Sequence, residues 1–124
     1  MIYTSYFARI KNLPKNAIPI AICGGIPDWY KGFWYKKVAP KYKFFQVWKQ
    51  TQDNDYYIKH FKEEVLDTLD PHEVVNDLFS FIRNYPIGTD IVLICYEKPE
   101  DFCHRHLVAD WLNAAGYNVK EYEF

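Results

Sequence analysis

The sequence has no apolar run that approaches the roughly 18 residues of a membrane-spanning helix. Its N-terminus, MIYTSYFARIK, lacks the basic segment and following apolar stretch of a signal peptide. Only three cysteines are present, at positions 23, 95 and 103, and their number and spacing do not fit a disulfide framework. The net charge of −1 excludes a uniformly basic protein. We therefore expect a reduced, cytoplasmic protein with no membrane partner.

Aromatic residues are the component in excess. They make up 19% of the chain, with eleven Tyr, nine Phe and four Trp, whereas apolar (49%) and charged (25%) residues follow ordinary globular usage. Aromatic rings bury large areas in a core, and they also stack on bases and sugars. A chain of 124 residues corresponds to a single domain, covering residues 1–124.

Apolar periodicity predicts strands that alternate with helices. The predicted strands cover residues 2–7, 17–23, 90–96 and 119–124, and the predicted helices cover 56–69, 71–84 and 102–115. Between residues 26 and 49 the pattern is irregular, and FFQVW at 44–48 is interpreted as a short extra strand. The predicted fold class is α/β, a single-domain, three-layer, Rossmann-like sandwich with a mostly parallel sheet.

Local signals define the helix ends. Asp70, Pro71 and Glu73 have the spacing of an N-cap, a first helical position and a capping box. Gly116 stands where a helix C-cap glycine is expected. DIVLICY, at 90–96, is apolar throughout, which is typical of a strand covered on both faces.

The segment CYEKPEDFCHRH, residues 95–106, concentrates the reactive side chains. Glu97 follows the buried strand, and Cys103, His104 and Arg105 begin the next helix. Ligands of open α/β sheets bind beyond the carboxyl ends of strands, where helix N-termini favour anions. A thiol in that position has its pKa lowered towards the reactive thiolate.

Helical geometry separates the two histidines of this segment. His104 falls on the sheet-facing side, so we expect it to be buried and hydrogen-bonded. His106 falls on the opposite side, and we expect it to be solvated.

Arg105 and Glu97 each have two interpretations. Arg105 offers a planar fork to a phosphate or carboxylate ligand, or it pairs with a carboxylate of the loop. The candidates for that pairing are Glu97, Glu100 and Asp101. Glu97 is a catalytic nucleophile or base, or it is the ion-pair partner of Arg105.

Two alternatives use the cysteines differently. A zinc site would combine Cys103 with His106 and take further ligands from Cys23 or His60. A redox pair would join Cys23 to Cys103 across one sheet edge. Neither has the usual spacing of such sites, so no metal and no cofactor are predicted.

The middle segment interleaves aromatic rings with lysines. Residues 28–49 carry six lysines and one acidic residue, a local charge of +5. Trp29 and Tyr30 with Lys36 and Lys37 would suit a surface that stacks bases and follows phosphates. The alternative is that the rings cover an edge of the sheet while the lysines face water.

Several motifs together resemble the domain-of-unknown-function family numbered 488. The resemblance is carried by Leu93–Pro99 (LICYEKP), by Cys103-His104-Arg105, by the N-terminal YTSYF that includes Tyr6, and by PDWYKG at 27–32 leading to Ala39-Pro40. The resemblance implies a compact three-layer α/β fold from bacteria, archaea or their phages, without an established reaction. Many members carry Asp-x-Arg after the second strand, where this chain has ICGG at 22–25. A lysine at 31, 36 or 37 would have to replace that arginine.

The function predicted from these features is binding of a phosphate-bearing ligand, a nucleotide or nucleic-acid component, at a rim formed by residues 97–105 and 24–43. Glycosidic-bond or related chemistry would take place at Glu97. The alternative is a non-catalytic module that binds nucleic acid or protein. The predicted catalytic residues are Glu97, Cys103 and Arg105, and the predicted ligand-binding residues are Tyr6, Gly24, Gly25, Trp29, Tyr30, Lys36, Lys37 and His104.

Overall fold

The computed structural model describes all residues, 1–124, and contains a five-stranded sheet in which every pairing is parallel. The strands are β1 (Ile2–Tyr6), β2 (Ala17–Ala21), β3 (Phe33–Trp34), β4 (Asp90–Cys95) and β5 (Val119–Glu121). Their spatial order is β3-β2-β4-β1-β5. The α/β, Rossmann-like fold class is confirmed.

Four α-helices connect the strands. They are α1 (Tyr42–Thr51), α2 (Asn54–Glu64), α3 (Pro71–Phe81) and α4 (His104–Ala114), and 3₁₀ turns occupy Phe7–Asn12, Lys36–Val38 and Leu66–Thr68. No helix is both long and apolar enough to cross a membrane.

The prediction of a strand at residues 44–48 is wrong, because these residues lie in α1. Phe44 is 1% exposed and packs its ring edge-on against Tyr57, whereas Val47 faces solvent. Aromatic and β-branched residues favour strands only weakly, and the tertiary packing of one helical face overrides that preference here.

The layers follow from right-handed crossovers. The chain moves from β1 to β2 and on to β3 in one direction along the sheet, and it moves from β3 to β4 and from β4 to β5 in the other. Right-handed connections that run in opposite directions must cross opposite faces. Accordingly, α1 to α4 share one hydrophobic cluster with one face, and the other face is covered by the Phe7–Asn12 turn and the 24–32 loop.

Strand β4 lies in the middle of the sheet and is buried on both faces, as predicted. Ile91 and Leu93 contribute to the cluster under the helices, and Val92 and Ile94 contribute to the cluster on the opposite face. All four are 0% exposed. The continuous apolar run thus reflects a strand with no solvent-facing side.

The helix ends largely follow the local signals. The Asp70 side chain accepts a hydrogen bond from the backbone N–H of His72 at 2.8 Å, so Asp70 caps α3 without the reciprocal capping-box bond that was predicted for Glu73. Helix α3 ends at Phe81, three residues earlier than predicted. Gly116 has a φ of +102°, the left-handed conformation that favours glycine after a helix.

Candidate functional site

A cavity of about 380 Å³ lies beyond the carboxyl ends of β2 and β4. These two strands are neighbours, and their outgoing connections cover opposite faces of the sheet. Such a divergence leaves a crevice at the sheet edge, the usual ligand position in open α/β folds. The lining residues are Cys23, Gly24, Gly25, Pro40, Tyr42, Phe45, Gln46, Trp48, Tyr57, Cys95, Tyr96, Glu97, Phe102, Cys103 and His104.

Three aromatic rings form a packed wall of the cavity. The ring centroids of Trp48 and Phe102 are 5.6 Å apart, those of Trp48 and Tyr57 are 5.5 Å apart, and those of Tyr57 and Phe102 are 5.0 Å apart. The indole N–H of Trp48 donates to the side-chain oxygen of Asn54 at 2.8 Å, which fixes the plane of this ring. The wall therefore offers preorganised faces and edges to a flat ligand.

Glu97 is the only carboxylate that lines the cavity. It is half-buried, and it has no cationic partner within ion-pair distance. Burial raises the pKa of the Cys23 thiol to about 11, and the charge of Glu97 adds to that rise. Burial also raises the pKa of the Tyr57 hydroxyl, with a further contribution from Glu97. Cys23 and Tyr57, which both line the cavity, therefore stay protonated near pH 7.

Cys95 and Cys103 are joined as a disulfide in the structure, and both line the cavity. Their Cα atoms lie 7.6 Å apart. Cys95 ends β4, and Cys103 is the N-cap residue of α4. This disulfide departs from the expectation of reduced cysteines. The alternative of a redox pair between Cys23 and Cys103 is not found, because Cys23 is unpaired and donates its thiol hydrogen to the carbonyl of Gly25 at 2.9 Å.

His104 is buried beneath α4, as predicted. It is 6% exposed, and its Nε2 lies 2.7 Å from the carbonyl oxygen of Ile22. A carbonyl accepts only, so Nε2 carries the proton and Nδ1 keeps its lone pair. Burial lowers the pKa of His104 to about 4, and the ring is therefore neutral near pH 7.

Arg105 does not line the cavity. Its side chain is 0% exposed, and it binds the Glu121 carboxylate through Nε at 3.1 Å and through a terminal nitrogen at 3.0 Å. The other terminal nitrogen donates to Cys95 Sγ at 3.0 Å and to the carbonyl of Glu97. The ion-pair partner of Arg105 is therefore Glu121, and the predicted pairing with Glu97, Glu100 or Asp101 is wrong.

The prediction that His106 is solvated is also wrong. The residue is half-buried, its Nε2 is buried without a hydrogen-bond partner, and burial lowers its pKa. The prediction assumed that the side of α4 that carries His106 is open to solvent, whereas the structure covers it in part. His60 pairs with Glu64 on α2, so neither histidine joins Cys103 in a zinc site.

The predicted ligand-binding residues divide into two groups. Gly24, Gly25 and His104 line the cavity, as do Glu97 and Cys103. The remaining predicted residues lie outside its lining: Tyr6, Trp29, Tyr30, Lys36, Lys37 and Arg105.

Each residue of the second group has another environment. Tyr30 is 5% exposed and donates to the carbonyl of Phe33, which makes it part of the sheet cover. Trp29 is 59% exposed at the surface. Lys36 lies over the ring of Trp34 at 4.7 Å, and Lys37 reaches Asp77 of α3 at 3.4 Å. The guanidinium carbon of Arg105 lies over the ring of Tyr6, 5.7 Å from the ring centroid.

Sequence reasoning missed the cavity wall formed by α1 and α2. Phe45, Gln46 and Trp48 were not predicted as site residues, because residues 44–48 were interpreted as a strand. Tyr57 lies in a predicted helix, but nothing in the sequence linked that helix to the site. The spacing of Phe44, Phe45 and Trp48 matches one helical face and could have indicated this helix.

The family model DUF488-N3a, described as the active DUF488-N3 subclade, matches residues 5–116. The match runs from the last two residues of β1 through β4 and helix α4, and it includes every residue that lines the cavity. No curated protein and no solved structure matches the chain.

Proposed function

The chain belongs to the DUF488-N3a family, and we propose that its cavity binds a nucleobase-bearing ligand and that Glu97 acts on the glycosidic bond of that ligand. The observation that carries this proposal is a cavity of about 380 Å³ with an aromatic wall and a single carboxylate. The family description as an active subclade favours an enzyme over a binding module.

The aromatic wall supports a flat ligand. Trp48, Tyr57 and Phe102 present rings that are already fixed against one another, so binding requires little reordering. Stacking of a base on such a ring contributes about 1–3 kcal/mol. A volume of about 380 Å³ is at the lower end of the range for small-molecule pockets and suits a nucleoside.

Glu97 supports the chemistry. A half-buried carboxylate without a cationic partner can act as a general base or as a nucleophile. As a base it would remove a proton from a water molecule, whose oxygen would bond to the anomeric carbon. The bond between the anomeric carbon and the nucleobase would break in the same step, and the departing nucleobase would take up the proton that Glu97 had removed.

A phosphate on the ligand would lie at the mouth, near the start of α4. The first backbone N–H groups of that helix have no partners within the helix, and they favour an anion. Arg105 contributes nothing directly to a phosphate, because Glu121 and the carbonyl of Glu97 already occupy its N–H groups. We therefore expect the base to contribute more affinity than the phosphate.

Thermal shift with adenosine, adenosine monophosphate and inorganic phosphate tests the binding proposal. Adenosine and its monophosphate should both raise the melting temperature, and phosphate alone should have little effect. Stabilisation by phosphate alone, with none by adenosine, would contradict the assignment of the cavity to a base.

Release of free base from purine and pyrimidine nucleosides, followed by chromatography, tests the catalytic proposal. Glu97→Gln should lower the rate by about 10²–10⁴. Glu100→Gln, an exposed glutamate on the same loop, is the matched control and should keep the wild-type rate. Equal rates for the two variants would remove Glu97 from the chemistry.

A second candidate is a module that stacks single-stranded nucleic acid without catalysis. It is favoured by exposed aromatic rings: Tyr42 (77% exposed) and Tyr96 (51%) line the cavity, and Trp29 (59%) packs on Phe7, as Tyr96 does. In this case Trp29→Ala should weaken the binding of a short oligonucleotide in a salt-dependent manner, while Glu97→Gln should leave it unchanged. Oligonucleotide binding that is insensitive to Trp29→Ala would exclude this surface.

A further inference from the structure

Three potential metal ligands converge on one wall of the cavity. Cys95, Cys103 and His104 each offer a donor atom, and these atoms all lie within 4.8 Å of one another. Each residue is buried, and each lines the cavity. The cluster is distinct from the pair of Cys103 and His106 that the sequence indicated, because His104 supplies the nitrogen. The two sulfur atoms are bonded to each other in the structure, so reduction would have to separate them before they could surround a single ion with His104.

The orientation of His104 favours metal binding. Its Nε2–H donates to the Ile22 carbonyl at 2.7 Å, and its Nδ1 lone pair lies 3.9 Å from Cys103 Sγ. Histidines that bind metals usually donate the second ring N–H to a backbone carbonyl or carboxylate in this way. With Nε2 engaged by the Ile22 carbonyl, Nδ1 is the ring nitrogen left to bind an ion on the side of Cys103.

The surrounding charges favour a cation at this place when the cysteines are reduced. Arg105 donates a hydrogen bond to Cys95 Sγ at 3.0 Å, and this donor would still face the sulfur after reduction. The charge of Arg105 is balanced by its two hydrogen bonds to Glu121. Two thiolates beside Glu97 would therefore leave a buried excess of negative charge, and a divalent cation would neutralise most of it.

The backbone spacing also bears on the reduced state. The Cα atoms of Cys95 and Cys103 are 7.6 Å apart, whereas disulfide-linked cysteines usually span about 4.4–6.8 Å. Two thiolates that share one ion are held further apart than two bonded sulfur atoms. The distance between the end of β4 and the start of α4 therefore suits the metal-bound form at least as well as the disulfide.

From these observations we propose that, in the reduced protein, Cys95, Cys103 and His104 bind a zinc ion whose fourth coordination position faces the cavity. Two thiolates and one imidazole are ligands that zinc accepts readily, and three protein ligands with one open position are typical of catalytic zinc. A water at that position would become a nucleophile near neutral pH, with Glu97 nearby to accept its proton. The site does not depend on the identity of the ligand that the cavity binds.

Metal binding is measured on the full chain after reduction and removal of metal with a chelator. Addition of zinc should give one ion per chain by elemental analysis of the desalted protein. Cobalt in place of zinc should give the intense thiolate-to-cobalt absorption and the visible bands of a tetrahedral site. This spectrum is read on the unmodified protein, so it does not depend on whether a variant folds.

The variants assign the ligands. Cys95→Ser, Cys103→Ser and His104→Gln should each lower the zinc affinity by at least about 100-fold. Loss of a residue that only hydrogen-bonds to a metal ligand already costs up to about 100-fold, and loss of the ligand itself should cost no less. Cys23→Ser is the matched control, a buried cysteine that lines the same cavity, and it should bind zinc like the wild type. His106→Gln should also bind normally.

Three results would overturn the proposal. The first is a reduced protein that binds no zinc and gives no thiolate–cobalt absorption. The second is equal loss of binding in Cys23→Ser and in the three ligand variants. The third is closure of the Cys95–Cys103 disulfide in a glutathione buffer with equimolar zinc present, which would identify a redox pair. The nucleoside assays with Glu97→Gln are independent of all three, so the zinc site and the proposed function can fail separately.

Discussion

The carboxyl edge of the sheet has two sides that differ in how their charges are satisfied. On the side of β1 and β5, the fully buried Arg105 is paired with Glu121 through two hydrogen bonds. On the side of β2 and β4, Glu97 lines a cavity and has no cationic partner. Arg105 and Glu97 both come from residues 95–106, yet one side is closed and the other is open.

The difference separates structural roles from functional ones. A buried charge that makes several hydrogen bonds holds elements together, and here Arg105 links the start of α4 to β5 and to the end of β4. A carboxylate that faces a cavity without a partner is available to a ligand. Sequence proximity placed Arg105 and Glu97 in one predicted catalytic group, whereas the geometry assigns them to opposite sides.

The largest expected effect concerns the closed side. Glu121→Ala leaves the guanidinium of Arg105 buried without its carboxylate, so we expect the free energy of unfolding to fall by about 3–5 kcal/mol. Urea-induced unfolding measures this loss. Asp67→Ala is the control, because it removes an ion pair with Lys62 in which both side chains are at least half exposed, and it should cost about 0–1 kcal/mol.

Similar small losses for the two variants would contradict the distinction between a closed and an open side. They would show that Arg105 obtains enough solvation in the absence of Glu121, and that its role is not the structural one assigned here.

An intermediate effect is expected at Asp77 of α3, which does not line the cavity. Tyr35 donates to the Asp77 carboxylate at 2.7 Å, and this bond, more than the nearby Lys37, lowers the pKa of Asp77. Because the pKa of Asp77 is lower in the folded state, its ionised carboxylate stabilises the fold fully at any pH above the ordinary pKa of 3.8. This stabilisation is lost as the pH falls through the lower pKa of the folded state.

Tyr35→Phe should therefore reduce the free energy of unfolding by about 1 kcal/mol at pH 7. The difference between the variant and the wild type should shrink when unfolding is measured below about pH 4. A difference that is constant from pH 7 to pH 3 would show that the packing of the ring, and not the hydrogen bond, carries the effect.

The smallest effect is expected at Lys37. Its ion pair with Asp77 is exposed, so Lys37→Ala should change the free energy of unfolding by about 0–0.5 kcal/mol. Because Lys37 lies outside the cavity lining, the affinity for adenosine should not change. A marked loss of affinity in calorimetry would extend the site beyond the cavity towards α3.

The features that the sequence made predictable are local. The apolar run of β4, the cap at Asp70 and the inward face of His104 each depend on neighbouring residues only, and each is confirmed. The same is true of the position of residues 95–106 at the junction of a strand and a helix.

The features that could not be predicted from the sequence depend on contacts between residues that are distant along the chain. The partner of Arg105 is Glu121, 16 positions away on β5, which pairs with β1. The loop before α4 offers carboxylates that are nearer in sequence, so the sequence alone did not indicate Glu121. The pairing of Cys95 with Cys103 depends on how the 96–102 loop closes. Trp48 and Tyr57 reach the cavity only because α1 and α2 pack over the end of the sheet.

The central claim is that the open side of the edge, between β2 and β4, is the ligand site. Amide chemical shifts in ¹⁵N-labelled protein, recorded while adenosine is added, test it most directly. The account predicts shifts at Gly24, Gly25 and Tyr96, with the amides of Lys120 and Glu121 unchanged. Shifts confined to the side of Arg105 and Glu121, or no shifts at millimolar adenosine, would contradict it.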